Sequence, residues 1–197
     1  PREWLAPVAS KPFGYRARAR LAVQWDRAQR RATLGFRRSA SHAVEPVDGC
    51  AVLEPALAAL IAPLAALIGG FADPACVREL WLASGEPGAA LGVASAGNLA
   101  AGDAAALAAF CADRGIGLHL GTVRGPGAID WTEGAAALRY AVADGGPALE
   151  FQPWHFTQAN RDVNRALVAA VLEQLAPVAT DRVLELYCGL GNFSLPL

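Results

Sequence analysis

Hydrophobic positions change period along this 197-residue chain, and each change marks an element. Residues 15–25 alternate, with Arg16, Arg18 and Arg20 on one side and Ala17, Ala19, Leu21 and Val23 on the other. That is the period of a half-buried strand with a basic outer face. A polar turn at 26–30 and an apolar run at 32–36 predict its antiparallel partner, while 39–49 keeps no period and reads as loop or short strand. Leu53, Leu57, Leu60, Ile61, Leu64 and Leu67 recur at helical spacing up to Gly69 and Gly70, predicting one helix over about 53–68. Strands at 79–83 and 90–94 flank the turn Gly85-Glu86-Pro87-Gly88. Asp103 is a candidate cap for a helix reaching about Arg114, with Leu107, Phe110 and Cys111 inward and Gly115 as its stop. Strand-like segments come next at 117–123, 137–143 and 148–151, the last two joined by Asp144-Gly145-Gly146. Beyond Gln158 the pattern becomes a helix over about 159–175, a loop at 177–181, a buried strand at 182–187, then Gly189-Leu190-Gly191. Helix, buried strand and glycine loop in that order open an α/β sheet domain.

Composition adds a class and an asymmetry. With 54% hydrophobic and 18% charged residues the chain reads as globular rather than disordered, and its net charge of -1 excludes a uniformly basic polyanion binder. Residues 1–40, however, hold ten Lys and Arg against two acids, a net +8, and the remainder holds seven against sixteen, a net -9. Such segregation gives either a basic face that attracts phosphate or an ordinary solvated arginine ladder. The most apolar run, 53–70, is interrupted by Glu54, Pro55 and Pro63, so no membrane span is predicted, and a cytoplasmic location is expected. Cys50, Cys76, Cys111 and Cys188 are far apart, without the paired spacing of metal ligands, and are expected as reduced thiols.

The segment 183–193 carries the most chemistry. Gly189 and Gly191 let the backbone approach a ligand where a strand gives way to a helix; the alternative is a turn with no ligand. Ser194 stands where a dinucleotide fingerprint wants a third glycine, and no lysine comes after it, which disfavours nicotinamide, flavin and nucleoside triphosphate binding. S-adenosylmethionine has no phosphates, and Glu185 late in the strand can complement its positive amine and sulfonium region.

Upstream lies FQPWHFTQANRDVNRALV, residues 151–168, and then DRVLELYCGLGNFSLPL, residues 181–197. These two strings, in this order and at this spacing, resemble the junction between central and catalytic domains of the RNA uracil-5-methyltransferases. The likeness extends back through YRARARLAVQW, LGFRR and VDGCAVLEPALAALI and is nearest to the ribosomal RNA branch. It implies a mixed α/β fold: an α+β, RNA-facing central domain with antiparallel hairpins over 1–150, and over 151–197 the start of a Rossmann-like methyltransferase domain. It implies S-adenosylmethionine as cofactor, with contacts at Gln158, Glu185, Tyr187, Gly189, Gly191 and Asn192, and 23S ribosomal RNA as partner. The residue-level alternatives are a helix-start Gln158 bonded to local backbone and a half-buried strand tyrosine at 187.

Family catalysis uses a cysteine that adds to C6 of uracil and a base that removes the C5 proton. By resemblance both lie in later motifs, so Cys188 is assigned to the cofactor loop, no catalytic residue is expected in this chain, and it is expected to be inactive by itself. Cys50 stands where the ribosomal branch carries the fourth cysteine of a [4Fe–4S] cluster, with Ala51 in place of a proline, which implies a cluster in a longer parent protein and none here. Arg16, Arg18 and Arg20 become candidate RNA phosphate contacts, with Trp25 or His42 stacking on or bonding an unpaired base. The lack of methionine and a last residue just past the glycine loop lead us to expect a piece of a longer protein, whose partial sheet domain self-associates or frays. Two other classes remain: a non-catalytic RNA-binding or assembly module, and a dinucleotide-dependent oxidoreductase, weakened by Ser194.

Overall fold

The computed structural model describes residues 6–39, 41, 43–132, 134–143 and 145–197. It is a mixed α/β structure built on a mostly antiparallel sheet. The basic strand β1 (Arg18–Asp26) turns through 27–30 into β2 (Arg31–Arg37), as the alternation predicts. Asp26 Oδ1 closes that turn by accepting from the backbone N–H groups of Ala28 and Gln29. A three-residue edge strand β3 (Val44–Pro46) lies within the aperiodic segment. The predicted single helix is instead two pieces, α1 (Pro55–Ala58) and α2 (Ile61–Gly69). Pro63 explains the break: it has no N–H for the Ala59 carbonyl and its ring crowds that carbonyl, so the first turn cannot run into the second.

Strands β4 (Val77–Ser84) and β5 (Ala89–Ser95) form the predicted hairpin, closed by the Gly85 N–H donating to the Gly88 carbonyl at 2.6 Å. Helix α3 (Ala101–Ala112) then crosses over to β6 (Gly117–Gly125), which pairs with β5 in parallel. Ala100, not Asp103, is the N-cap of α3. Asp103 lies one turn in, buried, and accepts from the Ala72 N–H at 3.1 Å, tying the end of α2 to α3. An unanticipated strand β7 (Ala128–Trp131) completes a seven-stranded sheet of order β3-β2-β1-β4-β5-β6-β7, antiparallel except at β5/β6.

Strand register divides the sheet into two faces. One carries Ala19, Leu21, Leu80, Leu82, Leu91 and Val93 against Leu57, Ile61, Leu64, Ile68, Leu107 and Phe110 of the helices, and this is the main core. Trp25 is partly buried at the margin of this core, and His42 lies outside the described residues. The opposite face carries Arg18, Arg20, Trp81, Glu79, Gly92, His119, Gly121 and Trp131.

A second hairpin, β8 (Leu138–Ala141) and β9 (Ala148–Phe151), packs Leu138, Tyr140, Val142, Leu149 and Phe151 with Ala83 of β4 and Ala90 of β5 in a small second core. Next in the chain is helix α4 (Arg161–Leu175), capped by Asn160, whose side-chain oxygen accepts from the Val163 N–H. The predicted strand at 182–187 is absent: the segment is irregular and Leu184 is 83% exposed. A parallel strand exists only through its ladder, and this segment pairs with no strand among the described residues. Among the described residues no helix is long and apolar enough to cross a membrane.

His119 in β6 is buried, and burial lowers its pKa below the ordinary 6.5. The folded chain therefore keeps it neutral while the unfolded chain takes up a proton, so this contribution is complete above the unfolded pKa and is lost progressively as pH falls from there through the lowered folded pKa. His155 is shifted the same way for the same reason. The expected result is a lower melting temperature at about pH 5.5 than at about pH 7.5, with His119→Gln flattening the difference in thermal melts. A pH-independent melting temperature would contradict it.

Candidate functional site

The site is assembled where the chain leaves the β8–β9 hairpin and enters α4. Residues 152–155 make a turn in which the His155 N–H donates to the Gln152 carbonyl at 2.9 Å and His155 Nδ1 accepts from the Gln152 N–H at 3.2 Å. Arg18 holds the backbone from His155 to Thr157: its Nη1 donates to the carbonyls of His155 at 2.9 Å and Thr157 at 3.3 Å, and its Cζ lies 5.8 Å from the Phe156 ring centroid. Burial, with Arg16 adding repulsion, lowers the Arg18 pKa. The Ala17 N–H donates to the Ala159 carbonyl, so the segment on either side of Gln158 is docked on the start of β1.

Helix α4 is anchored by two side chains from its first turns. Arg161 Nη2 donates to the Ser84 carbonyl and, at 3.3 Å, to Ser84 Oγ, and its Cζ stands 5.5 Å from the Tyr140 ring centroid. Burial lowers the Arg161 pKa, against which Glu54, Tyr140 and Glu86 act. Asn164 is buried and exchanges two hydrogen bonds with Asn192: its Nδ2 donates to Asn192 Oδ1 at 2.8 Å, and Asn192 Nδ2 donates back at 2.9 Å. The Tyr140 hydroxyl adds a longer bond to Asn192 Oδ1 at 3.4 Å. Burial raises the Tyr140 pKa, which keeps the phenol a donor.

These anchors hold the glycine loop over α4. Tyr187, Gly189 and Gly191 all have positive φ, at 61°, 57° and 92°. For the glycines this is unstrained, whereas for an aromatic residue such as Tyr187 it is uncommon. The loop is pinned by the Gly191 N–H donating to the Cys188 carbonyl at 2.9 Å, and Glu185 accepts from the Ser194 hydroxyl. Between the loop, α4 and the hairpin lies a cavity of ≈ 380 Å³, lined among others by Phe156, Gln158, Glu185, Tyr187, Gly189 and Asn192. A volume of this size lies in the ~300–1,000 Å³ range of small-molecule sites.

Five of the six residues expected at a cofactor thus share one cavity, and Gly191 stands in the loop behind it. Cys188 also lines it. The arginines behave differently from the expectation of free phosphate contacts: Arg16 Nε donates to the Arg18 carbonyl, Arg18 holds the Gln158 approach, and Arg20 is paired with Glu79. Alternation correctly placed them on one face but could not reveal the partners of Arg18 and Arg20, which come from 59 to 139 residues away. Cys50 is half-buried against the main core, and among the described residues no group of three or more His, Cys, Asp or Glu could hold a metal ion. The single thiol does not constitute a cluster site. Sequence reading overlooked Asn164, Arg161 and Tyr140; the only signal for Asn164 was a polar residue at an inward helical position, four after the Asn160 cap.

Residues 137–197 match the family model described as tRNA (Uracil-5-)-methyltransferase. Over all 197 residues the chain is 41% identical to the 23S rRNA (uracil(1939)-C(5))-methyltransferase RlmD of Pseudomonas aeruginosa (strain UCBPP-PA14), covering 43% of that protein. It is 40% identical to the protein of the same name from Pseudomonas entomophila (strain L48), again over 100% of this chain and 43% of the relative. The chain therefore spans less than half the length of the curated relatives it matches. In fold it is similar to the crystal structure of the Pyrococcus abyssi tRNA (uracil-54, C5)-methyltransferase in complex with S-adenosyl-L-homocysteine, with a TM-score of 0.68 at 20% identity, over 93% of this chain and 46% of that one. By sequence, then, this chain is similar to the RNA uracil-5-methyltransferases, matching their family model over 137–197 and proteins named as 23S rRNA methyltransferases along its whole length.

Proposed function

We propose that this chain is the RNA-facing and cofactor-holding part of an S-adenosylmethionine-dependent methyltransferase that forms 5-methyluridine in 23S ribosomal RNA. The observation that carries the reading is the cavity shared by Gln158, Glu185, Tyr187, Gly189 and Asn192. The donor set suits the ligand: a carboxylate for an ammonium, two amides for polar edges, an aromatic and leucines for an apolar base, and no lysine or arginine lining to demand phosphate. When bound, S-adenosylmethionine supplies an electrophilic methyl group on a sulfonium. The chain's own residues bind and orient: Arg18 fixes the Gln158 approach, and Asn164 with Tyr140 fixes the Asn192 side of the loop. The division into 1–150 and 151–197, with the second segment belonging to a Rossmann-like domain, is part of this proposal; the family match begins earlier, at 137, and takes in the β8–β9 hairpin.

The expected result is that S-adenosylmethionine or S-adenosylhomocysteine binds in calorimetry and NAD does not, with Glu185→Gln weakening binding by about fivefold through loss of one charge-assisted contact. Binding of NAD in preference would overturn the assignment. We assign the reaction's nucleophile and base to residues outside this chain, so RNA carrying 5-fluorouridine should form no covalent adduct with it. An adduct at Cys188 would sink that assignment.

A further inference from the structure

We infer that the sheet face opposite the helices is a docking track for single-stranded RNA, with a phosphate grip at one end and an aromatic platform at the other; the inference deepens the RNA reading above and rests on it. The grip is built by two strands and a bulge. Glu79, 8% exposed, accepts bidentately from Arg20 at 2.9 Å and 2.9 Å, and Arg37 approaches it at 3.4 Å. In the β4/β5 pairing Val77 faces Ser95 and Glu79 faces Ala94, so Arg78 is the extra residue of a bulge. Such a bulge re-aims its side chain, and Arg78 lines the same ≈ 300 Å³ cavity as Arg20, Arg37 and Glu79. Three guanidinium groups face one carboxylate, and Arg78 makes no ion pair among the described residues. The cavity keeps a surplus of about two positive charges, a complement for an anionic backbone.

The platform begins beside the grip. Arg20 Cζ lies 4.4 Å from the Trp81 ring centroid, and Trp81 meets Trp131 edge-to-face at 6.4 Å. Trp131 lies on a seat of glycines: a Cβ at Gly92 or Gly121 would stand 2.9 Å or 2.7 Å from its ring atoms. Its other face stacks on Trp154 at 4.3 Å and 7°. Trp154, Trp131, Thr132 and Gln152 line a second cavity of ≈ 350 Å³, and all three tryptophans remain partly exposed. The grip cavity is also walled by Val123, Pro126 and Ile129 of the β6–β7 hairpin that carries Trp131, so grip and platform adjoin on one face. Trp131 is covered on both faces and buttresses Trp154, so the partly exposed Trp154 ring is the one available to a base. Arginine beside such a ring is the chemistry that tracks a flexible backbone and stacks unpaired bases, whereas a duplex hides its base faces.

The test uses the chain with an unstructured oligouridine and a duplex of equal length, about twelve nucleotides each, read by tryptophan fluorescence across a salt series. Expected results are quenching on binding, at least about tenfold preference for the single strand, and about tenfold weaker binding by Trp154→Leu. The exposed double variant Arg37→Gln/Arg78→Gln should reduce the salt slope by about 1.4 and serves if Trp154→Leu melts below assay temperature. RNA binding with unchanged tryptophan emission, unaffected by either variant, overturns the track and leaves the face as a seat for protein. Failure of the unaltered chain to bind any RNA overturns the broader RNA reading as well.

Discussion

An Arg161→Met variant is expected to melt about 5–10 °C below the unaltered chain, corresponding to a loss of about 2–3 kcal/mol at this chain length. The side chain is mostly buried, donates to the Ser84 carbonyl and Oγ, and lies over Tyr140. Removing it leaves Ser84 without its charged donor and Glu54, which accepts from the Ser84 hydroxyl at 2.6 Å, without its nearby cation. Methionine retains most of the apolar volume, so the loss reads the charge and its hydrogen bonds rather than a cavity. Because this group joins α4 to the end of β4 and to β8, cofactor binding should weaken along with stability. A variant that melts normally would mean that α4 is held by its apolar side alone, through Val168 and its neighbours.

Asn164→Ala is expected to weaken S-adenosylhomocysteine binding by about tenfold or more, the scale of one buried amide left without its partners. Two bonds are lost at once, and Asn192 then has only the 3.4 Å contact from Tyr140. Tyr140→Phe removes that longer bond and keeps the ring packed on Phe151, so its effect should stay below about threefold. Calorimetry on the two variants separates loop positioning from general destabilisation: equal losses for both, tracking melting temperature, would place the whole effect in stability.

Much of the fold was legible as period. The alternation of β1, the Gly85–Gly88 hairpin and the inward Leu107, Phe110 and Cys111 of α3 each come from local spacing, because a half-buried element must repeat its apolar residues at its own pitch. Where local signals misled, a long-range partner decided the outcome. Asp103 resembles a helix cap but serves Ala72, and Arg18 resembles a free cation but serves the backbone before Gln158. The segment 182–187, with Val183, Leu184, Leu186 and Tyr187, reads as a buried strand, yet it pairs with no strand among the described residues and stays irregular.

The candidate site divides in the same way. The residues themselves point to the loop glycines and to Glu185, whose carboxylate suits a positively charged, phosphate-free ligand, whereas Gln158, Tyr187 and Asn192 are expected at a cofactor only through the resemblance to the RNA uracil-5-methyltransferases. Only the tertiary structure joined Asn164 to Asn192 across 28 residues and Arg161 to Ser84 across 77, and laid Trp81, Trp131 and Trp154 along one face with three arginines. Local sequence determines which face a side chain takes because backbone geometry sets the period. It cannot determine what that face meets, because the meeting depends on how distant segments close around the core.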